Sequence, residues 1–126
     1  MRLVLLVAAG GACGSVGRYL VGLLLAGIVG VGFPWATLTV NLVGSFGIGL
    51  VTALGLEWAR LSDEARVFWA TGVMGGLTTY SAFAIEVVRY IEAGALGRAA
   101  LYFGATSTLA ALACAAGLFT GRLLGP

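Results

Sequence analysis

Four apolar runs, each long enough to cross a bilayer, dictate what this chain can fold into. They cover about residues 3–29, 35–56, 67–91 and 98–123. An α-helix of about 20 residues spans the ~30 Å of hydrocarbon in a membrane, so each run reads as one crossing. Gly30, Gly32, Phe33 and Pro34 make a short turn after the first run, with Pro34 suited to the first turn of the next helix. LEWARLSDEAR (56–66) is the one clearly polar connection, and Ser62 or Asp63 is placed to cap the helix that follows. The pattern predicts an all-α membrane protein: a single four-helix domain over residues 1–126, inserted in the cell membrane with both termini on one side.

Composition excludes the alternatives. Of 126 residues, 60% are hydrophobic and only 10% charged, and the mean hydropathy is +1.06. A soluble domain carries about 25% charged residues, so lipid must be the solvent for most of this surface. The net charge is +2 and no basic tract is present, which leaves nucleic acid without an electrostatic footprint. There is no His, and Cys13 and Cys114 lie far apart in apolar surroundings. Cys/His zinc chemistry and His-based acid–base catalysis are therefore excluded, and the cysteines read as small packing residues. No nucleophile–base pair is visible, so an enzyme is not expected. The opening MRLVLLVAAGGAC has the look of a signal peptide, but its apolar pattern continues past Arg18 and reads as part of the first span.

Orientation is poorly specified. Arg2, Arg60, Arg66 and Arg122 fall on the side of the termini and Arg89 and Arg98 on the other. Four arginines against two is a weak bias for a rule that counts Lys and Arg, and such a chain can insert either way up. Small residues recur four apart at Gly10/Gly14, Gly11/Ser15, Ser45/Gly49 and Gly72/Gly76. That spacing lets helices approach closely. In so small a unit it also predicts that small faces are buried against another copy, giving an oligomer.

Polar residues inside hydrocarbon are costly, so their positions carry information. Thr37, Asn41 and Ser45 form an i, i+4, i+8 stripe on the second span. Asn41 either bonds a neighbouring helix or lines a pore, its amide offering two donors and an acceptor. In the third span Gly75-Gly76 precede Thr78, Thr79, Tyr80 and Ser81. Adjacent glycines followed by hydroxyl residues favour a break near the middle of that helix, with Thr side chains relieving a simple kink as the plainer outcome. A break is tolerated at membrane depth only inside protein or beside a wet cavity, and transporters place ion sites at such breaks. Tyr80 and Phe83 share a face at i, i+3, offering positive ring edges. Glu86 and Arg89 have the same spacing and are expected to form a local ion pair. Tyr102 and Thr106 begin a stripe on the fourth span that fades at Ala110 and Cys114. Arg18 either snorkels or sets a positive potential at a vestibule.

GGACGSVGRY (10–19), TLTVNLVGSFGIG (37–49) and GVMGGLTTYSAFAIE (72–86) together closely resemble the signatures of the Fluc (CrcB) family of fluoride channels, in order and spacing, over three of the four spans. The resemblance implies an antiparallel dual-topology dimer, here a homodimer in membrane lipid, that exports fluoride passively and so protects against fluoride toxicity. It further implies that Asn41, Thr79, Tyr80, Ser81, Phe83, Tyr102 and Thr106 line the fluoride path, with Arg18 and Glu86 at the vestibule. Gly75 and Thr78 match positions whose backbone carbonyls hold a structural Na⁺. Two departures stand out. Tyr80 occupies a place where the family usually has Phe, and the fourth-span track lacks hydroxyls at Ala110 and Cys114. The rival reading is a small dual-topology, proton-coupled multidrug-type transporter, which needs a carboxylate at mid-depth; Glu86, toward a helix end, is the only candidate. A non-transporting assembly subunit is a second rival, expected to tolerate hydrophobic residues at Asn41.

Overall fold

The computed structural model describes residues 1–125, which form helices and connecting turns. Helix α1 (Arg2–Val29) is followed by α2 (Trp35–Thr52), which continues through a π-helical stretch, Ala53–Glu57. A short helix α3 (Asp63–Arg66) leads into a second π-helical stretch, Val67–Met74, and then α4 (Gly75–Leu77). Helices α5 (Tyr80–Glu92) and α6 (Leu96–Leu123) complete the described chain. Among the described residues three helices are long and apolar enough to cross a membrane: Arg2–Val29, Trp35–Glu57 and Leu96–Leu123. Residues 67–92 are divided differently, because Thr78 and Thr79 stand outside any helix in extended conformation.

Local chemistry explains the ends. Gly30 closes α1 with φ 76°, and Gly94 turns the chain after α5 with φ 70°, both in the left-handed region where glycine carries no Cβ penalty. Pro34 precedes α2 as expected, its carbonyl accepting from Leu38 N–H at 3.1 Å. Ser62, one of the two expected caps, accepts from Ala65 N–H at 3.2 Å, while Asp63 pairs with Arg66 at 2.9 Å. The start of α1 and the end of α6 both meet the 57–66 connection. Arg2 pairs with Glu64 at 3.4 Å, and Arg122 grips Glu57 with two bonds of 2.8 and 2.6 Å. Arg60 donates to the Leu124 carbonyl at 2.6 Å, satisfying one of the orphan acceptors past α6. These contacts gather both ends of the described chain and this loop at one end of the bundle.

Glycine sets how the helices pack. A Cβ on Gly49 would collide with the Cys114 carbonyl on α6, and one on Gly117 with the Phe46 carbonyl on α2. On the other side of the bundle Gly10 faces Phe68 and Gly72, Gly14 faces Val73 and Leu77, and Gly76 faces the Gly11 carbonyl. The small-residue pairs at Gly10/Gly14 and Gly72/Gly76 are thus spent inside one chain, clasping α1 to the third segment. This corrects the expectation that those faces meet another copy: backbones approach where both partners lack a side chain, and here both partners belong to the same protomer. The outer surface is apolar instead, with Leu5, Leu24, Leu101, Leu112 and Phe119 all exposed. Such a surface requires an apolar surrounding.

Replacing Gly117 by Ala should destabilise the protein by about 1–3 kcal/mol, because the added methyl drives into a backbone carbonyl that has no rotamer to yield. Gly27→Ala, where no neighbour approaches, should be neutral or stabilising by up to about 1 kcal/mol through helix propensity. Unfolding of the purified protein in mixed micelles, followed by tryptophan fluorescence, measures both.

Candidate functional site

The site is built around Thr78 and Thr79. At Thr79 (φ −150°, ψ 108°) the backbone leaves the helix, so its N–H no longer bonds back to the Gly75 carbonyl. A buried N–H without a partner costs about as much as a lost hydrogen bond. Asn41 on α2 supplies one: its Oδ1 accepts from Thr79 N–H at 2.7 Å, while its Nδ2 donates to the Thr79 carbonyl at 3.1 Å. One side-chain amide thereby holds both polar groups of a single residue. Thr79 in turn caps α5, its Oγ1 accepting from Ala82 N–H at 3.2 Å and lying 3.3 Å from Ser81 Oγ. Thr78 folds its hydroxyl back onto the Met74 carbonyl at 3.0 Å, and its methyl group fills the space that a Cβ on Gly44 would need. Arg18 reaches across from α1 to the Thr78 carbonyl, with Nη1 at 3.5 Å.

Beside this segment lies a cavity of ≈ 520 Å³. Its lining brings together Asn41, Gly75, Thr78, Tyr80, Phe83 and Thr106, along with Ser45 and Ser107. Tyr80 is 76% exposed, its ring 5.6 Å from that of Phe83 and inclined at 58°. Phe83 is buried, and so is Thr106, whose Oγ1 has no partner among the described residues. Thr79, Ser81 and Tyr102 do not belong to this lining: Thr79 is buried beneath it and Ser81 is exposed beside it.

Tyr102 leads away from the cavity toward a second one. Its ring is 5.3 Å from Phe83, and its hydroxyl donates to Glu86 Oε2 at 2.7 Å. Glu86 Oε1 accepts from Thr37 Oγ1, also at 2.7 Å. Glu86 therefore does not pair with Arg89 as its spacing suggested; both oxygens turn inward to hydroxyls on α2 and α6. The i, i+3 interval was visible in the sequence, but the competing donors arrive only with the fold. Thr37, Glu86 and Arg89 line the second cavity, ≈ 490 Å³, with Phe33, Trp35 and Tyr90. Arg18 lies apart from this lining. The Thr37–Glu86–Tyr102 link is what sequence reasoning missed, and a carboxylate set well inside an apolar run was the signal available.

The carbonyls assigned to a cation can be tested against this geometry. Diverting Thr79 N–H to Asn41 leaves the Gly75 carbonyl without its usual helical donor, and Gly75 is exposed. Thr78 O carries only the long contact from Arg18. Two carbonyl oxygens from one chain suit a hard cation in kind but are too few to enclose it.

The double role of Asn41 yields a rank order. Asn41→Leu leaves Thr79 N–H and C=O both unpartnered and should cost about 2–6 kcal/mol, counting about 1–3 for each buried polar group. Asn41→Asp retains an acceptor for the N–H but loses the donor, and should fall between. Micelle unfolding curves of the three proteins test the order.

Comparison with known proteins gives concordant results. The family model described as "CrcB-like protein, Camphor Resistance (CrcB)" matches residues 5–118. A protein of Agrobacterium fabrum named "Fluoride-specific ion channel FluC" is 49% identical over 121 residues, covering 96% of this chain and 97% of that relative. One of the same name from Thermus thermophilus is 53% identical over 102 residues, 81% of each chain. Another from Rhodospirillum centenum is 44% identical over 124 residues, 98% of this chain and 95% of its own. With matches of this identity running through all the elements that build the site, the chain belongs to the CrcB family.

Proposed function

We propose that this protein is a fluoride-selective ion channel that lets fluoride leave the cell passively across the cell membrane and so gives resistance to fluoride. The observation that carries the reading is the 49% identity, over 96% of this chain, to a relative named as a fluoride-specific ion channel. The geometry supports it. Fluoride is small, strongly hydrated and a strong hydrogen-bond acceptor, so a selective path must replace its water with donors and positive edges without trapping the ion. The first cavity is lined by Asn41, which has an Nδ2–H remaining, and by Tyr80 and Phe83 with their positive ring edges, while Thr106 stands in the same lining with its hydroxyl buried. Beyond Phe83, the hydroxyls of Tyr102 and Thr37 lead by way of Glu86 to the second cavity. Thr79 and Ser81 support the same path from the backbone side, and Arg18 raises the local positive potential.

In this reading residues 67–92 cross the membrane as one broken helix, and two copies pair in antiparallel, dual-topology fashion. The exposed flank of the first cavity then meets the partner copy rather than lipid. Carbonyls of Gly75 and Thr78 from both copies would hold a structural Na⁺, a fixed positive charge near the anion path. The rival proton-coupled transporter needs a carboxylate free to exchange protons with a substrate, whereas both oxygens of Glu86 are engaged with hydroxyls.

Liposomes loaded with potassium fluoride and containing this protein alone should release fluoride to an ion-selective electrode, while chloride-loaded controls should release chloride far more slowly. Phe83→Ile removes a ring edge without touching the Asn41 clamp, and should slow fluoride efflux by at least about tenfold, the equivalent of one lost ionic contact of ~1.4 kcal/mol. Equal release of chloride, or unaltered fluoride flux in Phe83→Ile, would contradict the assignment.

A further inference from the structure

We propose, resting on the channel reading above, that the Tyr80 hydroxyl sets selectivity: it is a hydrogen-bond donor at the cavity that grips fluoride directly. The aromatic groups around the path are not equivalent. Phe83 is 3% exposed and wedged between Tyr102 and Phe103, at ring distances of 5.3 and 5.7 Å. Tyr102 is 1% exposed and its hydroxyl is committed to Glu86. Tyr80 alone presents both ring and hydroxyl to open space: it lines the cavity, is 76% exposed, and its Oη makes no hydrogen bond to another described residue.

A phenol at the rim of a cavity in a membrane protein seeks a polar partner for its O–H, because apolar surroundings offer none. No described residue of this chain supplies one, which leaves the occupant of the cavity as the partner within the protomer. Position also favours an anion there: Tyr80 is the first residue of α5, held by the Thr79 cap, and the positive end of that 13-residue helix lies at the same place. Phe83 fixes the ring in an inclined arrangement 5.6 Å away, so the donor is attached to a supported ring rather than a free side chain.

The consequence is a difference between halides. A ring edge attracts any small anion, but an O–H donor rewards the stronger acceptor, and fluoride accepts hydrogen bonds far better than chloride. Tyr80 therefore binds fluoride more tightly and separates it from chloride more sharply than a ring edge alone would, and it slows release of the ion. Hydrogen bonds to charged groups are worth enough to change an equilibrium constant by about tenfold or more.

Tyr80→Phe preserves the ring and removes only the donor. In liposome efflux assays over a range of fluoride concentrations, half-saturation should rise by about tenfold and the fluoride-to-chloride rate ratio should fall by a similar factor. A purely structural tyrosine would leave both unchanged. Unchanged half-saturation and halide ratio, with normal flux in the unsubstituted protein, would overturn the role of the hydroxyl and leave the channel reading standing. Absence of fluoride flux in the unsubstituted protein would overturn both.

Discussion

The side-chain amide of Asn41 makes the rest of the site possible. A chain that leaves the helix inside a membrane frees backbone groups that hydrocarbon cannot satisfy. Asn41 meets the N–H and the C=O of Thr79 at once, in effect acting as a piece of neighbouring backbone supplied from α2. From that anchor the other features follow. Thr79 is free to cap α5, α5 starts with Tyr80 beside the cavity, and Phe83 lands one turn later among the rings of α6. Asparagine suits the position because it donates and accepts on one planar group; leucine can do neither and aspartate only one.

Tight backbone packing holds the anchor in place. Gly44 leaves room for the Thr78 methyl group, and Gly10, Gly14 and Gly76 bring α1 against the third segment. Each of these approaches places a neighbouring group where a side chain would otherwise stand. Where the helices approach most closely the packing relies on glycine, bulky groups such as Phe83 and Tyr102 are buried beside the cavities, and many other large apolar side chains are directed outward. A second polar link, Thr37–Glu86–Tyr102, ties α2, α5 and α6 on the far side of Phe83. Two hydrogen-bonded junctions with an aromatic wall between them leave a cavity on each side, an arrangement suited to a narrow path joining two wider spaces.

Much of this was legible in the sequence. Apolar length alone placed α1, α2 and α6 to within a few residues, since nothing else in a short chain competes with a 20-residue hydrophobic run. The Gly75-Gly76 pair and the hydroxyl run marked where residues 67–92 depart from a plain helix. Asn41, Tyr80, Phe83 and Thr106 were picked out because polar or paired aromatic groups in such surroundings need a reason. What escaped was pairing across the fold. Glu86 sat three residues from Arg89, but its actual donors lie 49 and 16 positions away, on other helices. The glycine pairs announced close contact and were expected to meet another copy, but Gly10/Gly14 and Gly72/Gly76 meet another helix of the same chain. The π-helical stretches at Ala53–Glu57 and Val67–Met74 are too short to leave a periodic signature.

The amide-anchored segment, the cavity beside it and the likeness to fluoride-specific channels point to a path that passes one halide and refuses another. The most direct measurement is the reversal potential of current through this protein in a planar bilayer with fluoride on one side and chloride on the other. The account predicts a reversal potential displaced strongly in the direction set by fluoride, with only a minor chloride contribution. A potential near zero at equal concentrations of the two halides, or one set by chloride, would contradict it.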